Sequence, residues 1–320
     1  MPPRNLAKIE MIKRTSHLAP RRELTFILNP IANGLPLPYE VIPDWYLRRA
    51  TEEEGERIMR FAFSSGLSHM RLYDYGEQVG KSYRSPEPSN WKFFGLDHSS
   101  LAGSNRLELA GNLLEHDIAL GPSFGWIPTD SGGRGETVGV SNDGAKIAQF
   151  FANYHQRESP VEMTAQSIDE WRRIESKLQS LPQAELKPFQ DLEILRGVPR
   201  TTPLFTLGLF AAIESVITHN PHDQFDSLRH QVSTKMVLLS KRFTRELLYK
   251  QFGCAPEILW KKIYDYRSCI AHGSSASFST GGLAVLKDAE IANRFLKSAL
   301  KLLLLQLLEE PALINDLKLC

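Results

Sequence analysis

Arg267 and His272 are the residues of this chain whose types and spacing best fit shared chemistry. They lie in the segment 257–273, EILWKKIYDYRSCIAHG. A guanidinium grips a phosphate and steadies charge that develops on it. A histidine takes up and gives up a proton near neutral pH. On an ideal helix, five residues turn the chain by about 140° and advance it about 7.5 Å. The two side chains therefore do not stack as an i, i+4 pair does. They reach one phosphate only if the helix end distorts, or if a second copy of the chain brings its own pair across an interface. Glu214 is the third candidate, set in an apolar stretch one turn after Phe210 and one turn before Thr218. A carboxylate facing a core must find a cation or a donor, or its pKa climbs. Glu214 is thus either a structural ion-pair partner or a site acid, and both readings stand.

The elements that must position these residues follow from periodicity and punctuation. Leu259, Ile263, Tyr266 and Ile270 form one helical stripe over 256–272, and Gly273 stands where it can stop that helix. Thr202-Pro203 supplies a cap and a first-turn proline for a helix over 203–218 that is apolar nearly all round, as a bundle interior requires. Further helical patterns occupy 226–250 and 286–309, so four helices with short connections predict an all-α four-helix bundle over 200–320. Residues 1–165 hold 15 of the 21 glycines and 12 of the 19 prolines, which predicts a loop-rich α+β region. Within it, 23–28 and 91–94 read as strands, 52–65 (behind a Thr51–Glu54 capping box) and 105–117 as helices, and 127–144 as a loop. A second capping box, Ser167–Glu170, opens a helix to about Leu181, and 166–199 reads as a helical linker. There is no internal repeat.

Two other clusters were weighed. Gly76–Ser82 (GEQVGKS) has three residues between its glycines where a P-loop needs four, and no apolar strand precedes it, so it is not read as a nucleotide site. His219 and His222 lie near Asp223 and Asp226, but nothing completes a ligand set. No metal or cofactor is expected. The three cysteines, Cys254, Cys269 and Cys320, contain no CxxC pair and suit a reducing cytosol. The N-terminus lacks the apolar run of a signal peptide. The run Leu302–Leu308 falls far short of the roughly 20 residues that cross a bilayer. The expectation is a cytoplasmic protein with no membrane partner. The net charge of +1 excludes a uniformly cationic coat, yet residues 226–272 carry nine basic side chains against four acidic ones. Lys261, Lys262, Arg242 and Arg245 are the candidates there for backbone phosphate contacts.

The run Tyr264-Asp265-Tyr266-Arg267-Ser268-Cys269-Ile270-Ala271-His272-Gly273 resembles the Y-x-x-R-S-x-x-x-H-G signature of HEPN domains, particularly their Apea-like branch. Phe210–Ser215 is similar to the acidic position on that family's first bundle helix, and the helix around Lys235–Leu239 to its second. The resemblance covers about 200–310, and it implies a metal-independent endoribonuclease module that works as a homodimer. Carried over, His272 is the general acid/base and Arg267 steadies the phosphate. Ser268 fills the polar position after the arginine, Glu214 orients or neutralises Arg267, and Tyr264 and Asp265 belong to the signature. RNA supplies its own 2′-hydroxyl nucleophile, so the implied products are a 2′,3′-cyclic phosphate and a 5′-hydroxyl. Members of the family also act as toxins held by an antitoxin partner or in antiviral defence. Others bind RNA or dimerise without cutting. The alternative is therefore a non-catalytic RNA-binding or dimerisation module behind a ligand- or protein-sensing N-terminal region.

Overall fold

The computed structural model describes residues 22–27, 31–55, 78–79, 82–83, 94–127, 136–139, 161–221 and 227–319. The chain is mixed α+β, strand-rich toward its N-terminus and mostly helical toward its C-terminus. It divides into two compact units, Met1–Gly111 with Ile118–Arg172, and Asn112–Asp117 with Arg173–Cys320.

The first unit is organised on an antiparallel sheet. Its strands are β1 (Glu23–Ile27), β3 (Tyr39–Ile42), β4 (Trp45–Arg49), β7 (Phe94–His98), β8 (Leu120–Ile127) and β9 (Glu136–Gly139), in the order β3-β4-β7-β1-β8-β9. β2 (Ile31–Asn33) pairs in parallel with β10 (Val161–Met163), and β5 (Gln78–Val79) pairs antiparallel with β6 (Ser82–Tyr83). β1, which pairs with β7 on one side and β8 on the other, is buried from Leu24 to Ile27. One polar residue in it, Thr25, is compensated across two neighbouring strands. Its hydroxyl lies 2.7 Å from Nε2 of His98 on β7 and 2.6 Å from the Ser123 hydroxyl on β8. The His98 ring stacks on Trp45 of β4, with centroids 3.9 Å apart. Burial pushes the His98 pKa below the usual imidazole range, against the opposing pull of nearby acids.

A charge cluster spans β4 and β7 of this sheet. Asp97 accepts from both Arg22 and Arg48, and Arg48 forks onto both carboxylate oxygens of Glu54 at 2.7 Å each. Glu54 also accepts from the Thr51 backbone N–H at 2.8 Å, while the Thr51 hydroxyl accepts from the Glu54 N–H at 3.2 Å. The Thr51–Glu54 capping box is therefore present, and the described turn 52–55 is helical. The rest of the expected 52–65 helix lies outside the described residues. Other expectations shift. Of the strand expected at 91–94 only Phe94 lies among the described residues, and there it opens β7, which pairs with β1 and β4. The helix expected over 105–117 is α1 (Ser104–Leu113), and the loop expected over 127–144 contains β9, recruited by backbone pairing with β8. The second capping box sits three residues earlier than expected. Thr164 and Ser167 exchange the reciprocal bonds (2.8 and 3.2 Å), so α2 is Ala165–Ser180.

In the helical unit, α3 (Lys187–Arg196), α4 (Pro203–Ile217), α5 (Leu228–Ser240), α6 (Pro256–Ala271), α7 (Ala289–Glu309) and α8 (Pro311–Leu319) follow one another. α4 packs against each of the other five, which is why its apolar residues run all round. α3 and α8 are additional to the four helices expected. α4 begins at Pro203 as expected, but the Thr202 hydroxyl makes no capping bond and donates instead to Pro199 O at 2.8 Å. α5 is shorter than the expected 226–250, stopping at Ser240, and a short 3-10 turn, Tyr249–Phe252, follows. That turn brings Tyr249 and Phe252 onto Phe295 of α7, at centroid distances of 5.4 and 5.2 Å, with Trp260 of α6 at 5.6 Å. α7 is capped by Asp288, whose carboxylate accepts from the Ile291 N–H at 2.7 Å, and its leucines from Leu302 to Leu305 are buried. Among the described residues no helix is long and apolar enough to cross a membrane.

Residues 112–117, from the glycine-rich half of the sequence, belong to this helical unit. Lys301 of α7 is buried and reaches the carbonyls of Leu114 and Glu115 and, at 2.5 Å, the carboxylate of Asp117. Lys297, one turn earlier, grips the other oxygen of Asp117. Burial alone raises a carboxyl pKa, but the two lysines more than offset this and hold Asp117 at about 2. A depressed carboxyl pKa stabilises the fold above the unfolded value near 3.8, and that contribution disappears as pH falls through about 2. Asp117→Asn should therefore cost about 2 kcal/mol at pH 7 in urea unfolding followed by helical circular dichroism. The gap between variant and wild type should close between pH 4 and pH 2.

Candidate functional site

Of the candidate residues, Glu214, Arg267 and Tyr264 meet where α6 packs against α4. An apolar helix such as α4 can carry a carboxylate only if a neighbouring element supplies a cation, and α6 supplies Arg267. Nη2 of Arg267 lies 3.3 Å from Oε2 of Glu214, with Glu214 13% exposed and Arg267 31% exposed. The contact is single and long rather than a bidentate fork. Oε1 of Glu214 is buried and has no hydrogen-bond partner among the described residues. Burial raises the Glu214 pKa above the usual carboxylate range, and Arg267 only partly opposes the rise.

Tyr264, one turn before Arg267 on α6, completes the cradle. Its ring lies 5.8 Å from the guanidinium carbon and meets Phe210 of α4 edge to face at 5.7 Å. The guanidinium is thus steadied by a carboxylate and an aromatic ring and still keeps a solvent-facing side.

His272 is the C-cap residue of α6, and it is exposed. The helix ends there in a Schellman arrangement. Gly273 adopts φ +68°, its N–H donates to Ile270 O at 3.1 Å, and the Ser274 N–H donates to Cys269 O at 2.8 Å. Gly273 stops the helix as its position in the sequence implied, because only a residue at ease with positive φ closes this motif without strain. Among the described residues no hydrogen bond joins His272 to Arg267. The α6 stripe is buried at Leu259, Ile263 and Tyr266, with Trp260 beside it, while Ile270 is half-exposed. Ser268 is half-buried, and its carbonyl accepts from the His272 N–H at 3.1 Å.

The other candidates divide into occupied and open cations. Asp265 pairs with Arg229 at 2.9 Å and with Lys262 at 3.5 Å. Arg242 forks onto Glu310 at 2.6 and 3.0 Å, and Arg245 lies 3.6 Å from Glu115. Lys261 is exposed on α6. The nine-against-four charge count over 226–272 thus overstates the open positive surface, since Glu310 and Glu115 lie outside that window.

His219 does not stand in a described metal cluster, and His222, Asp223 and Asp226 lie outside the described residues. The His219 Nδ1 meets Lys318 O at 2.7 Å, and its backbone N–H donates to Gln231 at 3.0 Å. Within GEQVGKS, Gln78 and Val79 pair antiparallel with Tyr83 and Ser82, and the other residues of the segment lie outside the described residues. Sequence reasoning missed the lysines that close the end of α4. Lys318 donates to Ser215 O at 2.6 Å and Lys235 to Ile217 O at 3.1 Å, both favourable at a helix C-terminus. Phe210 was legible only as core.

Comparison of the chain with protein-family models, with curated proteins and with solved structures finds no match in any of the three.

The ion pair has a direct consequence for stability. In Arg267→Ala, Glu214 keeps its burial and loses its cation, so its folded pKa rises further above the unfolded value. A raised carboxyl pKa is a penalty that grows as pH climbs through and above the unfolded pKa. Arg267→Ala should match wild type near pH 4 and fall below it by about 2 kcal/mol at pH 8. Adding Glu214→Gln should recover most of that loss in thermal melts.

Proposed function

We propose that the helical unit is a metal-independent endoribonuclease module of the HEPN type that acts as a homodimer on RNA. The observation that carries this reading is the seating of Arg267. A cation placed by a buried carboxylate and an aromatic ring, at the solvent side of two packed helices, is preorganised to meet an anionic oxygen. His272 follows on the same helix at an exposed cap, where a side chain can reach substrate. Two copies of α6 placed side by side would bring the imidazole of one protomer toward the guanidinium of the other, resolving the 140° offset of the pair. In the proposed step, a base removes the 2′-hydroxyl proton and the oxygen attacks phosphorus. Arg267 stabilises the charged phosphorane, and His272 protonates the departing 5′-oxygen.

A second reading is favoured by the charges already spent. With Arg242 and Arg245 committed to Glu310 and Glu115, fewer cations remain to hold a strand. A module that binds RNA or dimerises without cutting, governed by the strand-rich unit, would need no more. In either case a protein partner such as an antitoxin would act by covering the α6 end.

End-labelled RNA incubated with the purified chain in EDTA separates the two. Metal-resistant cleavage giving 2′,3′-cyclic phosphate ends supports the enzyme, and binding without products supports the module. Arg267→Ala and His272→Ala should each lower cleavage by at least about a hundredfold, as loss of a transition-state donor or a proton-transfer group does. Wild-type rates in both variants would end the assignment.

A further inference from the structure

From the geometry around Glu214 we infer that engagement of an RNA phosphate by Arg267 draws a proton onto Glu214, so that RNA binding by this chain is coupled to proton uptake at that carboxyl. The inference rests on the proposed role of Arg267 as the phosphate anchor and goes beyond it by giving Glu214 a proton-holding function.

The geometry makes the exchange necessary. Arg267 touches Glu214 through one nitrogen at 3.3 Å, and its outer side is open. A phosphate at that outer side competes for the guanidinium with two strong acceptor oxygens, where Glu214 offers one long contact. The cation would turn outward and leave Glu214 behind. Glu214 cannot follow, since it stands on a helix locked against five others. Nor does it have a substitute partner. Its Oε1 is buried and unbonded among the described residues, so a released carboxylate would be an unpaired buried charge.

The neighbouring charges are engaged elsewhere. On α8, Lys318 is bonded to Ser215 O. On α5, Lys235 is bonded to Ile217 O. On α6, Asp265 faces Arg229 and Lys262, and His272 is exposed at the helix end. On α3, Arg196 is held by Asn112 and Glu193. On α7, the polar residue facing α4 is Asn293, bonded to Thr206. Among the described residues Arg267 is the one charge that acts on Glu214. Taking a proton from solvent converts the stranded carboxylate into a neutral acid at far lower cost than burying the charge. The carboxyl is already biased that way by its burial.

The test is a binding measurement with a strand that cannot be cut, an oligoribonucleotide 2′-O-methylated at every position, titrated into the full chain from pH 8 to pH 5. One linked proton allows up to about a tenfold gain in affinity per pH unit. The comparison is made in a His272→Gln background, because an imidazolium beside the strand would itself tighten binding toward low pH. There the chain that keeps Glu214 should tighten toward low pH, and the chain that also carries Glu214→Gln, neutral at every pH, should bind with a flat profile. Calorimetry in buffers of differing ionisation enthalpy should show net proton uptake in the first and none in the second.

In that background, a Glu214→Gln profile as steep as that of the chain that keeps Glu214, or a flat profile in the latter, overturns the inference. Should the variant prove unfolded by circular dichroism, an infrared difference spectrum of the wild-type complex decides it, through gain or absence of a protonated carboxyl band. If instead Arg267→Ala binds the strand as well as wild type at pH 8 and pH 5, the phosphate-anchor reading itself has failed. A retained loss in Arg267→Ala beside a steep Glu214→Gln slope removes only the proton coupling.

Discussion

A carboxylate planted in an apolar helix sets the terms for the helical unit. α4 is hydrophobic round most of its circumference and packs against five helices, so whichever helix lies over Glu214 must bring a positive charge or leave a buried anion unmatched. α6 brings Arg267, and the ion pair, the ring contact between Phe210 and Tyr264 and the buried Leu259, Ile263 and Tyr266 stripe all agree on one way for α6 to lie on α4. The same restriction leaves the pair imperfect, with one long contact and one oxygen without a partner. Imperfect pairing is poor use of a charge for stability alone, and it is what a site needs if the arginine is to change partners.

Several other buried polar groups of the described residues find partners. Thr25 joins His98 and Ser123 across β7, β1 and β8, so a polar threonine in a buried strand becomes a cross-strand tie. Lys301 finds two carbonyls and a carboxylate, and with Lys297 it fastens residues 112–117 to α7. Arg48 meets three carboxylate oxygens from Asp97 and Glu54. Three buried side-chain atoms among the described residues lack a hydrogen-bond partner, Oε2 of Glu23, Nδ1 of His98 and Oε1 of Glu214, and Glu214 is the one of the three in the helical unit.

The helical part was largely legible in the sequence because its signals are local. Thr202-Pro203 begins α4, Gly273 ends α6, and the stripe Leu259, Ile263, Tyr266 is buried as its spacing demands. What failed was non-local. β9 lies in a stretch that is glycine-rich by composition and becomes a strand only because β8 offers it hydrogen bonds. α5 ends at Ser240 because the next residues turn to place Tyr249 and Phe252 on Phe295, 40 or more positions away. The pairing of Glu214 with Arg267 spans 53 residues, so a cation for that carboxylate was required by the sequence while its identity rested on a motif.

The charge pattern shows the same limit with a consequence for mechanism. A window of sequence credits Arg242 and Arg245 to an open basic face, yet the fold returns Glu310 and Glu115 to them. Long-range attraction of a polyanion scales with the cations that remain uncompensated, so this chain would draw RNA only weakly from a distance. Under the proposed function, contact energy would come from a few close interactions, with Arg267 the best placed of them and Lys261 exposed on the same helix. A site of that kind gains little from bulk electrostatics and much from how one guanidinium is held and released. On that reading selectivity rests on whether a bound strand presents a phosphate that outcompetes Glu214, which a single-stranded or looped segment can adjust to do and a rigid duplex cannot.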